Sequence, residues 1–276
     1  MRARRRFVAG AGAVLGLVAA RKLYAQQVDL DTPFVTTPDN VVTAMLDLAR
    51  VGAGDRLIDL GSGDGRIVVA AALRGAVARG VEIDPRLVEL SRERALRAGV
   101  SARATFSTED LFDTDFSAAD VVSMYLLPDV NAKLAPRLLS TLAPGARIVS
   151  HDYGLGDWPP DARIVVAAPG KTVNVDKRSV LMLWIVPARM AGHWEGLAGA
   201  KRVTLDIRQR YQTAEGVLRW DGREHAFTDQ VVAGRSLALA FPPLGLALTL
   251  GRDADELGGQ ITEGTSAPVA VRLRRS

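Results

Sequence analysis

A glycine-rich turn between a short apolar segment and an amphipathic segment constrains the fold of this chain more than any other feature. The turn runs from Gly61 to Gly65 within the sequence Asp-Leu-Gly-Ser-Gly-Asp-Gly, which begins at Asp59. The apolar segment 56–60 before it has the pattern of a buried strand, and the segment 66–74 after it has the pattern of a helix. Glycine permits backbone conformations and close approaches that a Cβ forbids. A strand, a glycine turn and a helix in this order predict an α/β fold with a ligand at the carboxyl end of the strand.

Strands and helices alternate along the chain from residue 38 to residue 186. The predicted helices are 38–50, 66–74, 85–98 and 131–140, and the predicted strands are 56–60, 76–83, 102–107, 120–126, 147–151, 163–168 and 179–186. Asp84 before Pro85 is typical of a helix N-cap, and Gly99 is typical of a helix end. This alternation predicts a Rossmann-like, mostly parallel sheet of seven strands with helices on both faces.

Three acidic residues follow three consecutive predicted strands and indicate the chemistry of the ligand. A dinucleotide site has the spacing G-x-G-x-x-G, whereas this turn is G-x-G-x-G with Asp59 before it. A carboxylate there would repel a diphosphate but suits the ammonium and sulfonium groups of S-adenosylmethionine. Glu82 is placed to bind both ribose hydroxyls, and Asp110 is placed to accept a hydrogen bond from the adenine amino group. Two alternatives stay open, a helix N-cap for Asp110 and a plain surface acid for Glu82.

From Ala188 onward the pattern changes to short alternating segments separated by glycine-containing turns. Five segments alternate apolar and polar residues: 203–209, 216–220, 237–241, 246–250 and 269–273. A period of two predicts about six to eight antiparallel strands in a small all-β barrel or sandwich, with Trp194 inside it. The predicted domains are therefore 28–187, which binds S-adenosylmethionine, and 188–276, to which no role is assigned.

The N-terminal segment 1–27 has the composition of an export signal or a membrane anchor and is kept apart from the fold. Arg4-Arg5-Arg6-Phe7 precedes an apolar stretch of signal-peptide length, 8–20, and resembles a twin-arginine signal. An uncleaved anchor is the alternative, because Arg21 and Lys22 are unusual just before a cleavage site. We therefore expect membrane association through this segment, or a location in the cell envelope, either periplasmic or at the inner membrane, with the cytoplasmic face left open.

Charge and composition exclude several classes of function. The formal net charge is +4, but the first 25 residues hold six basic side chains and no acidic one. The rest of the chain is therefore slightly acidic, and we expect no nucleic-acid partner. The chain has no cysteine, which excludes disulfides, thiolate metal sites and a cysteine nucleophile. No metal site is predicted.

Several segments together resemble a known family. They are Pro-Phe-Val-Thr-Thr-Pro at 33–38, the glycine motif with Arg-Ile at 59–67, Gly-Val-Glu-Ile-Asp-Pro at 80–85, Tyr-Leu-Leu-Pro at 125–128 and Ser-His-Asp at 150–152. The region from Pro33 to Trp158 is similar to class I S-adenosylmethionine-dependent methyltransferases. More narrowly, it resembles the family of the mitochondrial lysine methyltransferases for the ATP synthase c-subunit and the adenine nucleotide translocase. Residues 188–276 depart from that family, and this leaves the substrate open.

The resemblance implies methyl transfer from S-adenosylmethionine to an amine, most simply a lysine of a protein, with a membrane protein among the candidates. The predicted cofactor contacts lie at the strand ends and on the loop before the first helix: Thr36, Thr37, Asp59, Gly61, Ser62, Gly63, Gly65, Glu82 and Asp110. The predicted catalytic residues are Tyr125, which would orient the amine, and His151, which would relay a proton because its charge changes near neutral pH. The alternatives are a tyrosine packed on the adenosyl group, a buried hydrogen-bonded histidine and a capping role for Thr37.

The leading hypothesis is thus a protein-lysine methyltransferase. Desolvation would lower the pKa of the acceptor lysine and supply the neutral amine, so no strict catalytic base is required. A non-catalytic envelope protein that retains an adenosyl pocket is the alternative, because the methyl donor is made in the cytoplasm. A nicotinamide oxidoreductase is disfavoured by the glycine spacing and by Asp59.

Overall fold

The computed structural model describes residues 35–173 and 176–276, and the predicted export or anchor segment 1–27 lies outside the described residues. Residues Thr36–Ser276 form one compact unit. In the described part of the chain, no helix combines the length and the apolar character that a bilayer span requires.

The first part of this unit is a seven-stranded sheet covered by helices. The helices are α1 (Asp39–Leu48), α2 (Arg66–Leu73), α3 (Pro85–Arg97) and α4 (Pro128–Thr141). The strands are β1 (Arg56–Leu60), β2 (Val77–Glu82), β3 (Ala104–Thr108), β4 (Val121–Met124), β5 (Arg147–His151), β6 (Ala162–Ala167) and β7 (Arg178–Ile185). Their order is β3-β2-β1-β4-β5-β7-β6, and β7 is antiparallel to both of its neighbours. The predicted fold class is therefore confirmed for this part.

The central strand β1 is buried on both faces of the sheet, which explains its apolar sequence. Leu57 packs with the apolar faces of α1, α2 and α3, whereas Ile58 and Leu60 pack with α4. Successive side chains of a strand point to opposite faces, so helices on both sides leave no exposed face. Asp59 is the polar exception in the interior of this strand, and it lies on the side of Leu57.

Strands β1 and β5 have the predicted bounds, and the remaining differences have local causes. Helix α4 begins at Pro128, three residues before its predicted start, because proline is well suited to the first turn of a helix. Thr37 is not an N-cap: Pro38 holds that position, without a side-chain cap. Asp110 opens a turn and not a helix, so the N-cap alternative for Asp110 is wrong as well.

The second part is a closed barrel, which decides between the predicted barrel and sandwich. Its strands are β8 (Gly192–Ala198), β9 (Lys201–Arg210), β10 (Thr213–Trp220), β11 (Arg223–Ala233), β12 (Ser236–Phe241), β13 (Leu246–Asp253), β14 (Glu256–Glu263) and β15 (Val269–Arg275). Each strand pairs with the next, and β15 pairs with β8 to close the barrel. Trp194 is fully buried in an apolar interior, as predicted. Eight strands enclose a space that side chains can fill.

The barrel docks on the segment that follows β5. The turn between β9 and β10 places Gln212 against this segment, where its amide accepts from Trp158 Nε1 at 2.9 Å and donates to the Pro159 carbonyl at 2.8 Å. The Tyr211 ring stacks on the Trp158 ring with a centroid distance of 5.7 Å, and its hydroxyl donates to Asp157. The barrel therefore braces the polypeptide just beyond the carboxyl end of β5.

Candidate active site

The glycine turn after β1 adopts a backbone that requires glycine. Gly61, Gly63 and Gly65 all have positive φ angles of 71°, 52° and 76°, a region that residues with a Cβ rarely adopt. A Cβ at Gly61 would also come within 2.7 Å of Leu126, and one at Gly65 within 2.7 Å of Phe106. The turn is thus a bare stretch of backbone at the carboxyl edge of the sheet.

Asp59 lies just before this turn and is almost completely buried, with 2% of its surface exposed. Burial raises the pKa of Asp59 to about 7, although Ser123 Oγ donates a hydrogen bond to its carboxylate at 2.8 Å. The nearby carboxylates of Glu82 and Asp64 raise this pKa further. A cation that binds near Asp59 would favour its ionised form, so the predicted preference for a positively charged ligand agrees with this environment.

Glu82 connects the end of β2 to the glycine turn. Its carboxylate accepts hydrogen bonds from the backbone N–H groups of Gly63 at 2.9 Å, Ile83 at 2.8 Å and Asp84 at 3.1 Å. A carboxylate has about four acceptor positions, so capacity for a ribose hydroxyl is left. The structure brings Glu82 to the turn, which makes the surface-acid alternative less favourable.

An ion-pair network outside the predicted site residues joins the turn to the loop before α1. Asp64 is buried and forms a bidentate pair with Arg66, and Arg94 Nη2 lies 2.6 Å from it. Although burial opposes ionisation, these two guanidinium groups hold the pKa of Asp64 below its usual value. Arg66 also donates to the carbonyl of Thr37 at 2.7 Å, so the glycine turn and the Thr36–Thr37 loop are held together. The adjacent Asp and Arg of the motif are the sequence signal for this network.

Two predicted cofactor residues are less well placed than the others. The hydroxyl of Ser62 is buried without a hydrogen-bond partner, and a Cβ at Gly80 would come within 2.6 Å of it. This side chain therefore lies against β2. Asp110 is exposed, and its carboxylate accepts from the N–H of Phe112 at 2.8 Å. The roles of both residues in cofactor binding stay predictions.

His151 ends β5 and is fully buried between two hydroxyl groups. Its Nδ1 lies 3.1 Å from Thr37 Oγ1, and its Nε2 lies 2.7 Å from Ser179 Oγ. Burial lowers the pKa of His151 to about 4, and the ammonium of Lys171 adds to this effect while Asp152 opposes it. The imidazole is therefore uncharged at neutral pH, and the expected change of charge near neutrality is wrong. The alternative of a buried hydrogen-bonded histidine agrees with the structure.

Tyr125 follows β4 and stacks on His151, with a ring centroid distance of 3.9 Å. Its hydroxyl lies 3.3 Å from Asp152 Oδ2 and donates to it. Burial and the charge of Asp152 raise the pKa of the Tyr125 phenol well above its usual value. The phenol is thus protonated and half-buried at the same edge as the glycine turn.

The residues at this edge of the sheet fit a cationic adenosyl cofactor. Strands β1 and β2 are adjacent and parallel. Their carboxyl ends present the bare backbone of the turn, the buried Asp59 and the carboxylate of Glu82. No basic group is placed to hold a diphosphate among these three features, and Arg66 and Arg94 are already paired with Asp64. These residues would hold S-adenosylmethionine through its positive charge and its ribose.

Comparison with known proteins identifies the family. The ANTKMT methyltransferase domain matches residues 59–162. A protein-lysine N-methyltransferase of Saccharolobus islandicus is 40% identical over 136 residues, which cover 49% of this chain and 84% of that protein. The chain belongs to the ANTKMT methyltransferase family. The predicted resemblance is thereby confirmed, and the protein is an S-adenosylmethionine-dependent methyltransferase.

Other members and one solved structure extend the comparison of this ANTKMT-family methyltransferase. The mouse lysine N-methyltransferase for the ATP synthase c-subunit is 39% identical over 129 residues, or 47% of this chain and 52% of that protein. The chain thus spans about half the length of that relative. The crystal structure of an RNA methyltransferase from Salinibacter ruber, in complex with S-adenosyl-L-homocysteine, is 44% identical, with a TM-score of 0.51, and covers 56% of this chain and 96% of that one. The relatives' names therefore include two acceptor classes, protein lysine and RNA.

Proposed function

We propose that this methyltransferase transfers a methyl group to the side-chain amine of a protein lysine. The observation that carries the proposal is the similarity to the protein-lysine N-methyltransferase of Saccharolobus islandicus, which extends over 84% of that protein. A membrane protein is one class of acceptor, because mouse relatives are named for the ATP synthase c-subunit and the adenine nucleotide translocase.

The cofactor side of the proposed site uses the glycine turn and its acids. S-adenosylmethionine supplies a methyl group bonded to a positively charged sulfur. Asp59 would hold the positive end of the cofactor, Glu82 its ribose and Asp110 its adenine, while the loop at Thr36 and Thr37 covers the methionine part. Alignment of the amine in line with the departing sulfur is the main contribution expected from the protein.

The acceptor side of the proposed site presents the protonated phenol of Tyr125 and the neutral imidazole of His151, which suits an amine that must lose its proton before it attacks. The hydroxyl of Tyr125 donates to Asp152, so its oxygen keeps lone pairs that can accept an amine N–H. His151 is neutral and is stacked beneath Tyr125, so we assign it the positioning of Tyr125 rather than proton relay. The proton of the acceptor would leave to water before transfer.

Tritium labelling tests the proposal. Purified protein is incubated with S-adenosylmethionine that carries a tritiated methyl group, together with membrane and soluble extracts, and the labelled product is digested with protease or with ribonuclease. We expect protease-sensitive label on lysine, as mass spectrometry of the labelled peptide would show. Asp59→Asn should lose the label, and the matched change Asp113→Asn, at an exposed acid, should keep it. Label that ribonuclease removes would favour the RNA acceptor, and no label with any extract would contradict the proposal.

We further propose a location in the cell envelope, supported by the Arg-Arg-x-Phe segment of the leader alone. Fractionation of cells followed by sequencing of the mature N-terminus tests it. A chain in the envelope fraction that starts near residue 26 would support export with cleavage. An intact chain in the soluble cytoplasmic fraction would contradict the location.

A further inference from the structure

A buried lysine lies next to the proposed acceptor site and has no part in the function proposed above. Lys171, between β6 and β7, retains only 2% of its surface exposure. Its ammonium donates to the carbonyl of Arg178 at 2.7 Å and lies 2.6 Å from Asp152 Oδ2. A buried ammonium is costly unless it is paired and hydrogen-bonded, so this contact ties Lys171 to Asp152.

Asp152 is itself held in an uncommon backbone conformation, with a φ of 63°. Its N–H donates to the carbonyl of Val180 at 2.7 Å, and its Oδ1 accepts from the N–H of Val180 at 3.1 Å. These two bonds fasten Asp152 to β7 and leave Oδ2 to face the ammonium of Lys171 and the hydroxyl of Tyr125, with His151 Nε2 farther away at 3.6 Å. The side chain of Asp152 is 9% exposed, so little water screens its charge.

The charge of this carboxylate matters for an amine acceptor. An unpaired carboxylate beneath Tyr125 would stabilise the ammonium form of an incoming lysine, and the ammonium has no lone pair for the methyl group. Among the described residues, the other titratable groups around Lys171 and Asp152 do not neutralise the Asp152 carboxylate in place of Lys171. His151 is neutral, the Tyr125 phenol is protonated, and Tyr153 stacks beyond Tyr125 with a centroid distance of 6.3 Å. The ammonium of Lys177 is directed to the carbonyl of Lys171, and the lysine that forms an ion pair with Asp152 is Lys171.

We propose that Lys171 is a positioning residue for methyl transfer to an amine: its ammonium occupies Asp152 Oδ2, so that the acceptor meets Tyr125 at a site of no net charge. Lys171 thereby keeps Asp152 from capturing the acceptor as an unreactive ammonium. It also fixes the position of Asp152 Oδ2, which accepts the hydrogen bond from the Tyr125 hydroxyl. This inference rests on the proposed amine acceptor.

The pH dependence of kcat tests the proposal through two opposite charge changes. The acceptor is the extract protein that the wild type labels, and kcat is measured from pH 6 to pH 10. Lys171→Met leaves Asp152 without its cation and should move the acidic limb up by about one pH unit, with about a tenfold loss at neutral pH that recovers at high pH. Asp152→Asn leaves the cation alone and should move the limb down. The double variant removes both charges and should return the limb to its wild-type position.

Controls separate this role from a structural one. Lys133→Met, at an exposed lysine of α4, should leave the limb unchanged, and Lys171→Arg, which keeps the charge, should stay close to the wild type. If Lys171→Met does not fold, the other two variants still test the proposal. The acidic limb of Asp152→Asn should lie at lower pH than that of the wild type, and the limb of the double variant should lie at the wild-type position. An acidic limb that does not move in any variant overturns the role of Lys171 while the lysine acceptor stands. A wild type that labels no amine overturns both proposals.

Discussion

The sheet and the barrel of this protein bury very different side chains. Among the described residues, the buried polar and charged side chains of the sheet, its helices and its loops are Thr37, Asp59, Ser62, Asp64, Ser91, Thr114, Ser123, Asn131, Ser150, His151, Lys171 and Ser179. In the described barrel, the buried polar residue is Gln212, and its side-chain amide faces Trp158 of the sheet domain. Most of the set in the sheet lies at or next to the carboxyl ends of strands, where a ligand binds in such folds.

This contrast separates a region organised for chemistry from a region organised for packing. Each buried polar group needs partners and contributes less stability than an apolar group of the same size. Functional sites tolerate this cost. The barrel interior is built mainly from apolar side chains around Trp194, although single polar atoms such as Trp220 Nε1 are buried there without a hydrogen-bond partner. The barrel contacts the sheet domain at Trp158 and Pro159, whereas the residues of the proposed site lie at the edge of the sheet.

The largest expected effect is on the stability of the barrel. Trp194→Ala should lower the free energy of unfolding by about 3–5 kcal/mol, because it empties the centre of an apolar core. Urea denaturation measures this loss, and calorimetry at a temperature where the variant is folded measures cofactor affinity. The affinity should be unchanged. A large loss of affinity in the folded variant would break the comparison, because the barrel would then take part in the cofactor site.

Asp59→Asn should instead stabilise the protein, because it removes the free-energy cost of ionising a buried carboxyl group. The folded-state pKa of Asp59 is about 7, above the ordinary value of 3.8, so the folded protein binds this proton more tightly than the unfolded chain. The resulting penalty is absent below pH 4, grows between pH 4 and pH 7, and is complete above pH 7. Asparagine should therefore stabilise the free protein at pH 8 by an amount on the order of 3 kcal/mol, and not at pH 4.

Urea denaturation of the wild type and of Asp59→Asn at pH 5, 6.5 and 8, without cofactor, checks this prediction. Asparagine can still accept the hydrogen bond from Ser123, so the local packing is kept. A variant that is no more stable than the wild type at pH 8 would mean that Asp59 is not penalised by burial.

The contact between the two regions should have an intermediate effect. Gln212→Leu leaves the indole N–H of Trp158 and the carbonyl of Pro159 without partners, and should cost about 1–3 kcal/mol of stability. The matched change Gln230→Leu, at a glutamine whose hydrogen bond is exposed, should cost much less. Thermal denaturation of both variants measures the difference. Equal losses would show that the barrel does not brace the segment after β5.

The same contrast explains which parts of the structure can be predicted from the sequence. Buried strands of the sheet such as β1 and β5 are short apolar runs between turn residues, so local pattern suffices for their bounds. Strand β14 escapes prediction because Gly258 and Gly259 resemble a turn, and β11 because charged residues interrupt its alternation. Closure of the barrel depends on the pairing of β15 with β8, which no single segment encodes.

The site is predictable where its residues follow one strand and turn, and not where the fold brings distant residues together. The turn at Gly61–Gly65 and the acid Glu82 follow from local spacing. Lys171 and Asp152 are brought together by the antiparallel return of β7, which local pattern does not show. The pKa of His151 depends on burial between Thr37 and Ser179, so its charge state cannot be predicted from its position after a strand.

The smallest expected effect concerns how the sheet supports its glycine turn. Ser91 Oγ on α3 lies 3.0 Å from the carbonyl of Gly63 and 2.8 Å from that of Leu87. Ser91→Ala should cost about 1 kcal/mol of stability. It should also weaken cofactor binding by about two- to fivefold, because the carbonyl of Gly63 loses the hydrogen bond that holds it in place. Ser140→Ala, at an exposed serine of α4, is the matched control. Calorimetric titration of S-adenosylhomocysteine measures the affinity of both variants. If Ser91→Ala loses stability but keeps full affinity, the hydroxyl serves only the helix, and the polar set that belongs to the site shrinks by one residue.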